Sequence, residues 1–271
     1  MRKYLGLSIL ILGILNAPNG FSADEPQSLT ATQIVSKHLQ AIGGKEAVGR
    51  LTSRVAIGTV KKESEPDAQM AIMSEGPDRV SAVYVFKDYT WQLTYDHGKV
   101  IFRPAISKEG SLVEKKYREM LTTGAMFNNI SLYNILLQPE SDDVKFEAKG
   151  TKKVKNRAAY VVELRRAKMP PLLLYFDAET FMWVRTDYGN VSYAKSMGKL
   201  TNDVVQHGED QTSIDFSFDT WDFKEVDGVK LPFKFEQTIA FPLIKQKSAG
   251  TIVGTIKEYR HNLPIDPKMF Q

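Results

Sequence analysis

The spacing of the apolar residues changes from a helical period to strict alternation near residue 54. Ahead of this point, Thr30 and Gln33 have the spacing of a capping box. The apolar residues that follow lie on one stripe of a 3.6-residue period, at Ile34, Val35, Leu39 and Ile42. Gly43 and Gly44 then end the pattern. The spacing predicts an amphipathic helix that begins after Thr30, followed by a short helical turn over residues 45–51.

The next segments predict an antiparallel meander. Alternation of apolar and polar residues is typical of half-buried strands, and it occurs over residues 54–60, 69–74, 79–86, 89–95 and 100–102. A two-residue turn at residues 97 and 98 would set Tyr95 opposite Val100 and Leu93 opposite Phe102. One face of this sheet would then carry Trp91, Leu93, Tyr95, Val100 and Phe102.

Residues 111–140 interrupt the strands with helical spacing. The apolar positions there fall into two groups, Tyr117, Met120 and Leu121, and then Leu132, Ile135 and Leu136. Gly124 and Asn128 mark a break between the groups, and Pro139 ends the second. We therefore predict two amphipathic helices. Because such an insert needs an apolar surface to cover, it is a candidate lid over the sheet.

A second group of strands begins near Val144. Tyr160, Val162 and Leu164 alternate with charged residues, which predicts one buried face. Residues 172–176 and 181–184 differ, because both parities are apolar. Both faces of this hairpin should be covered, one by the core of the sheet and the other, we expect, by the helices.

The aromatic residues between 214 and 223 do not fit one regular strand. Ile214, Phe216 and Phe218 share one parity, whereas Trp221 and Phe223 share the other. A β-bulge at Asp219 and Thr220 would bring both sets to one face. The pattern predicts that bulge.

The strand that follows alternates strictly from Val229 to Phe241 and thereby constrains the turn before it. A two-residue turn would set Leu231 opposite Lys224. A three-residue turn over 226–228 would set Leu231 opposite Phe223, and Phe233 opposite Trp221. We predict the three-residue turn, with Gly228 in the left-handed region.

The last predicted strand covers residues 251–259, and Met269 and Phe270 in the tail are expected to pack against the core. The sequence has no fixed-period repeat and no segment with the composition of a linker between domains. We therefore predict a single domain over residues 24–271.

The first 23 residues have the pattern of a secretory signal. Arg2 and Lys3 precede an apolar run over residues 5–15, and small residues follow at Ser22 and Ala23. The run is shorter than the roughly 20 residues that span a bilayer. We expect cleavage near Ala23 and a mature protein of the periplasm without a membrane span.

Charge and cysteine content exclude several classes. Lys and Arg number 36 and Asp and Glu 32, so the formal net charge is only +4, with the two signs mixed along the chain. This argues against a nucleic-acid partner, which would need a basic face. The sequence contains no cysteine, so the exported chain must be stabilised by its apolar core without disulfides.

No pattern of catalytic or metal-binding residues is complete. The four histidines are scattered, with no spacing that predicts a metal site or a cofactor. Two Ser-x-x-Lys matches, at Ser192 and Ser196, lack the downstream Lys-Thr-Gly of penicillin-recognising enzymes. Nucleophile-elbow, phosphate-loop and dinucleotide patterns are also missing. The sequence therefore predicts no catalytic residues and no enzyme.

The sequence does contain many aromatic residues, with 14 Phe, 11 Tyr and 3 Trp. They either fill an ordinary β core or line a pocket for an apolar ligand between a curved sheet and the helices. The candidate ligand-binding residues on the predicted strands are Trp91, Leu93, Tyr95, Phe102, Leu173, Tyr175, Trp183, Phe216, Phe218, Trp221, Phe233 and Phe235.

Short segments along most of the chain resemble bacterial outer-membrane lipoprotein-sorting proteins. They are AIGGKEA at 41–47, SRV at 53–55, GTV at 58–60, YFDAET at 175–180, DF at 222–223, EVDGVKLP at 225–232 and IDPKMF at 265–270. The resemblance implies the LolA/LolB-like lipoprotein carrier superfamily. Its fold is a half-open antiparallel β-barrel, mainly β, with an N-terminal helix and a helical insert covering the concave face.

That resemblance implies a non-catalytic carrier whose partner is a lipid or an acylated protein. Two other functions fit the sequence. An interaction module in the cell envelope, docking a protein of the inner or outer membrane, would have a filled barrel and an exposed apolar patch. A hydrolase with an unrecognised site would show activity on ester or peptide substrates.

Overall fold

The computed structural model describes residues 29–62, 66–76, 78–104, 112–122, 126–132, 135–137, 144–166, 171–188, 215–241 and 246–271. The predicted signal over residues 1–23 lies outside the described residues, as do Ile214, Gly124 and Pro139.

The N-terminal helix forms as its sequence predicts. Helix α1 covers Ala31–Ala41, and Thr30 and Gln33 form the capping box at its start. Gly43 follows with a φ of +121°, and a short helix α2 covers Gly44–Gly49. A Cβ at Gly43 would lie 2.1 Å from the carbonyl oxygen of Gly228, so only glycine permits this close approach of the helical corner to a distant turn.

Within the described residues, twelve antiparallel strands form one sheet. They are β1 Ser53–Lys62, β2 Ala68–Glu75, β3 Arg79–Val85, β4 Thr90–Asp96, β5 Lys99–Arg103, β6 Val144–Val154, β7 Arg157–Arg166, β8 Leu172–Asp177, β9 Trp183–Tyr188, β10 Asp215–Val226, β11 Val229–Phe241 and β12 Gln246–His261. The order across the sheet is β5-β4-β3-β2-β1-β12-β11-β10-β9-β8-β7-β6. The two meanders meet where β1 pairs with β12, and the sheet does not close.

The predicted register of the first meander is confirmed. Tyr95 lies opposite Val100 and Leu93 opposite Phe102, across a turn at His97 and Gly98. Both turn residues have positive φ, at 44° and 89°, as a two-residue hairpin turn requires.

The predicted turn between β10 and β11 is wrong. The turn has two residues, Asp227 and Gly228, with φ of 52° and 78°, and Lys224 lies opposite Leu231. Positive φ at both positions favours the Asp-Gly pair and matches the twist of the strands. Lys224 is exposed, and its ammonium lies 4.6 Å from the Phe233 ring centroid.

Substitution of Gly228 by valine is expected to lower the free energy of unfolding by about 1–2 kcal/mol, since Gly228 has a φ of +78°. Chemical denaturation measures the change. Gly228→Asn is the matched control and should unfold close to the unmodified chain, because asparagine tolerates the left-handed region. An unchanged midpoint for the valine variant would contradict the strain assigned to this turn.

The bulge predicted at Asp219 and Thr220 is also wrong. Pairing of β10 with β11 runs without a register shift. Instead, Asp222 has a φ of +58°. This conformation interrupts the alternation of side chains along β10, although no extra residue is inserted in its pairing with β11. Phe223 packs against the main core, whereas the Trp221 ring lies under Lys155 of the β6–β7 turn.

The insert between β5 and β6 contains one of the two predicted helices. Helix α3 covers Leu112–Thr122, and its Tyr117, Met120 and Leu121 are buried. The second predicted helix is, within the described residues, a single 3₁₀ turn over Ile135–Leu137. Phe127 and Asn129 have positive φ, so the chain turns there rather than continuing as a helix.

Alternating residues of β8 face two different apolar clusters. Leu172, Leu174 and Phe176 belong to the main core together with the helices. Leu173 and Tyr175 belong to an outer cluster on the opposite face, whose fully buried members are Val154, Ala159, Val161 and Tyr175. The expectation that helices cover this outer face is therefore wrong. Neighbouring strands cover one another there, as where Val161 lies opposite Tyr175.

The C-terminal tail packs against the first meander through one of the two predicted residues. Phe270, in a 3₁₀ turn over Pro267–Phe270, is fully buried, with the Arg79 guanidinium 4.3 Å from its ring centroid. Met269 stays exposed.

Candidate functional site

A short segment, residues 126–132, lies over the apolar inner face of the sheet. We use the name cover for this segment together with helix α3 and the 3₁₀ turn at Ile135–Leu137. Met126, Phe127 and Ile130 insert into the main core and are almost completely buried. Phe127 meets Phe218 edge to face, with 5.8 Å between the ring centroids. The cover thus supplies part of the core that a closed barrel would take from its own strands.

Arg54 on β1 binds the cover to the sheet. Its Nη1 donates hydrogen bonds to the carbonyl oxygens of Asn129 at 2.5 Å and Ser131 at 3.0 Å. Its Nε donates to Nε2 of His261 at 3.0 Å, and Nδ1 of that ring is 2.7 Å from Oδ2 of Asp227. Burial lowers the pKa of Arg54 to about 10. A buried guanidinium therefore links the cover, β12 and the β10–β11 turn.

Further polar contacts hold the same segment. Asn128 donates to the carbonyl oxygen of Phe218 at 3.2 Å and accepts from the hydroxyl of Thr186 at 2.7 Å. The backbone N–H of Leu132 donates to Oγ of Ser74 at 3.0 Å. These bonds are directional and buried, so they fix one position of the cover over an otherwise apolar surface.

Sequence reasoning missed Arg54 and Asn128. Arg54 shares its parity on β1 with the buried residues Ala56 and Val60. An arginine at an inward position of a predicted strand was therefore the available signal. For Asn128, which only marked a break between helices, the sequence offers no such signal.

The structure separates the twelve candidate ligand-binding residues. Eight side chains belong to the main core or pack against it beneath the helices, and most are fully buried: Leu93, Tyr95, Phe102, Trp183, Phe216, Phe218, Phe233 and Phe235. Trp91 also packs against that core, 5.2 Å from the Tyr84 ring centroid. Leu173, Tyr175 and Trp221 lie elsewhere, on or beside the outer cluster. Their role as ligand contacts stays a prediction.

Among the described residues, core side chains occupy much of the inner face over which the sequence predicts a hollow. A cavity of about 10 Å³ lies beside Arg54, lined by Ile42, Asn129 and Leu231 among others. That volume holds about one water molecule.

A larger cleft lies between the β6–β7 hairpin, the β8–β9 turn and β10; we call it the β10 cleft. Its volume is about 380 Å³. The apolar wall consists of Val154, Ala159, Met182, Val184, Trp221 and Phe223. The charged lining residues are Lys155, Arg157, Asp177, Asp219, Asp222 and Lys230.

Two carboxylates of the β10 cleft differ in how they are satisfied. Asp177 is paired with Arg157 at 2.9 Å, and its Oδ1 accepts hydrogen bonds from the backbone and hydroxyl of Thr180. Asp219 is 3% exposed, its Oδ2 is 3.4 Å from Nη1 of Arg185, and its Oδ1 has no hydrogen-bond partner among the described residues. Burial raises the pKa of Asp219, an effect that the positive charge of Arg185 opposes.

The described residues contain no group of three or more His, Cys, Asp or Glu side chains placed to hold a metal ion. Within the same residues, no helix has the length and apolar character that crossing a membrane requires.

The architecture resembles solved structures at low sequence identity. A LolA superfamily protein from Nitrosomonas europaea matches with a TM-score of 0.50 and 15% identity, over 90% of this chain and 98% of the other. An outer membrane lipoprotein-sorting protein domain from Vibrio parahaemolyticus matches with a TM-score of 0.46 and 9% identity, over 89% and 95% of the two chains. No protein-family model matches the sequence, and no curated protein does. The half-open twelve-stranded sheet with its covering helices therefore has the LolA-like fold.

Proposed function

We propose that this chain is an exported, non-catalytic carrier of the periplasm that binds a lipid or the acyl chain of a lipoprotein between the sheet and the cover. The observation that carries the proposal is the way in which the inner face of the open sheet is covered. Its apolar inner face is covered by a short segment that Arg54 and Asn128 hold through a few buried hydrogen bonds. The N-terminal signal pattern and the LolA-like fold support the location and the type of ligand.

An acyl chain would replace the cover's own side chains. Met126, Phe127 and Ile130 now occupy the apolar surface, and contacts of this kind are non-directional, so a hydrocarbon chain can substitute for them. The cost of opening is the loss of the hydrogen bonds made by Arg54 and Asn128, each worth about 1–3 kcal/mol.

A reversible cross-link between cover and sheet tests this proposal. Leu132 N lies 3.0 Å from Ser74 Oγ, so the two residues are close enough for a disulfide, and the chain has no other cysteine to interfere. In the double variant Ser74→Cys/Leu132→Cys, oxidation should lower uptake of a fluorescent fatty acid at least tenfold. Reduction should restore the uptake.

The matched control places a disulfide within the sheet. Ser81 and Thr94 are buried on β3 and β4 directly opposite each other, with 3.0 Å between their hydroxyl oxygens. Oxidised Ser81→Cys/Thr94→Cys should take up the fatty acid as well as its reduced form does. Equal uptake by the oxidised and reduced forms of the cover variant would place the ligand elsewhere, and absence of uptake by every form would contradict the carrier proposal.

A second function, docking of an envelope protein, is favoured by one observation. Val85 and Tyr89 are exposed beside the β3–β4 turn, where Phe86 stacks on Tyr89 with 4.6 Å between the ring centroids. Cross-linking in cells through a photoreactive residue at position 85 should capture one defined protein if this surface docks a partner. A cross-linked species that is absent in Tyr89→Ser would support this function.

A further inference from the structure

We propose that the β10 cleft is a second binding site, separate from the inner face of the sheet, and that its ligand is an amphiphile with one short apolar chain and an ammonium group. Nothing in the proposed carrier function requires this cleft. The proposal is carried by its shape, by the unsatisfied oxygen of Asp219, and by the residue that now covers Trp221.

The size and lining of the cleft fit a single short chain. Its volume of about 380 Å³ lies at the lower end of the range of ligand pockets, roughly 300–1,000 Å³. Val154, Ala159 and Val184 join it to the outer cluster, so its apolar wall continues into packed side chains. A chain bound against this wall would remove apolar surface from water.

Asp219 supplies an acceptor that the protein itself leaves unused. Its Oδ1 is buried and has no hydrogen-bond partner, although buried polar atoms in folded proteins nearly always have one. Arg185 approaches only Oδ2, at 3.4 Å. A ligand with a positively charged donor would satisfy this oxygen and complete the neutralisation of the carboxylate.

Lys155 shows where such a positive charge can sit. Its Nζ lies 3.7 Å from the centroid of the Trp221 ring and 3.4 Å from a carboxylate oxygen of Glu236. An ammonium over an aromatic ring, beside a carboxylate, is the arrangement by which proteins recognise alkylammonium groups. Lys155 thus occupies part of the site as an internal ammonium that a ligand would have to displace from the ring.

The charges that line the cleft disfavour an anionic head group. Arg157 is already paired with Asp177 at 2.9 Å and with Glu179 at 3.2 Å, and Lys155 is paired with Glu236. An anion would have to break one of these pairs or bind Lys230 at the edge. It would also lie near the unneutralised oxygen of Asp219.

Calorimetric titration with octyl amphiphiles tests the proposal. Octylammonium should bind the full chain at least tenfold more tightly than octyl sulfate, with both below their micellar concentrations. Asp219→Asn should weaken binding of octylammonium about tenfold, because it removes a charge-assisted hydrogen bond. Lys155→Met should instead strengthen octyltrimethylammonium binding about two- to fivefold, since the ring of Trp221 becomes free.

The matched control is Asp222→Asn, which changes an exposed acid of the same cleft that is paired with Lys224 at 3.3 Å. It should alter octylammonium affinity less than twofold. Equal or tighter binding of octyl sulfate, or equal effects of the two Asp→Asn variants, would overturn the proposal. So would an unchanged affinity of Lys155→Met for octyltrimethylammonium.

One experiment distinguishes failure of the proposal for the β10 cleft from failure of the proposed carrier function. The oxidised Ser74→Cys/Leu132→Cys variant should bind octyltrimethylammonium as the unmodified chain does, because the β10 cleft does not involve the cover. Thermal unfolding of Asp219→Asn, measured in parallel, should show a folded chain. A cross-linked protein that no longer binds the ammonium would place that ligand under the cover and refute a separate site.

Discussion

Replacement of Arg54 by methionine is expected to lower the free energy of unfolding by about 3–5 kcal/mol and to loosen the cover selectively. The substitution removes the buried, charge-assisted hydrogen bonds that Arg54 donates to the carbonyl oxygens of Asn129 and Ser131. It also leaves Nε2 of His261 without its donor. A methionine can refill the volume but offers none of these donors, so the loss exceeds what apolar packing recovers.

Two measurements separate this effect from a general loss of stability. Chemical denaturation gives the free energy, and hydrogen exchange should show faster exchange of the Leu132 amide than of amides in the β1–β2 ladder. Arg260→Met is the matched control, since Arg260 is an exposed arginine on β12 whose guanidinium is paired with Glu258, and its replacement should cost about 1 kcal/mol or less. Identical unfolding midpoints for Arg54→Met and Arg260→Met would contradict the role assigned to Arg54.

The second large effect is a loss of stability below neutral pH that originates at His38. This residue of α1 is fully buried against Phe176 and Trp183. Its Nδ1 is 2.9 Å from the carbonyl oxygen of Phe181, which can only accept, so Nδ1 carries the proton of the neutral ring. Its Nε2 is buried with no hydrogen-bond partner. Protonation would place an unpaired charge in the apolar core.

Burial lowers the pKa of His38 from 6.5 to about 4. The folded chain therefore resists protonation while the unfolded chain accepts a proton below pH 6.5. The stability that the neutral ring provides is complete above pH 6.5 and is lost progressively as the pH falls to about 4. The total loss expected is about 3 kcal/mol.

Comparison with His38→Asn isolates this contribution. Asparagine can keep a donor near Phe181 but does not titrate. The difference in unfolding free energy between the two chains should shift by about 3 kcal/mol between pH 7 and pH 4. Other groups, including His261, whose pKa burial also lowers, act equally in both chains and cancel. Parallel stability curves over this range would show that His38 does not set the pH dependence.

Local patterns in the sequence predicted the elements that depend on neighbouring residues. The capping box of Thr30 predicted the start of α1, and alternation predicted the strands of the first meander. Strands β8 and β9 were predicted from runs that are apolar at both parities. The pairing of Leu93 with Phe102 followed from one turn. In each case the determining interactions lie within a few residues along the chain.

The errors arose where a residue's environment comes from distant segments. The positive φ of Asp222 allowed Phe223 to reach the core, so the parity of two aromatic residues did not require a bulge. The sequence pattern favours a three-residue turn, because a two-residue turn at Asp227 and Gly228 sets the charged Lys224 opposite the apolar Leu231. In the structure, the ammonium of Lys224 lies over the Phe233 ring. The conformational preference of the Asp-Gly turn therefore outweighed the pairing of apolar residues across β10 and β11.

The sequence by itself determined the elements, the meander order of neighbouring strands, and the resemblance that implied a half-open barrel, because turns and alternation are encoded locally. Only the tertiary structure decided which groups would meet. It brought Arg54 to the carbonyl oxygens of residues 129 and 131, and Lys155 to the ring of Trp221. These partners are separated by more than 60 residues, and their contact depends on how the whole sheet twists and curls, which no local pattern encodes.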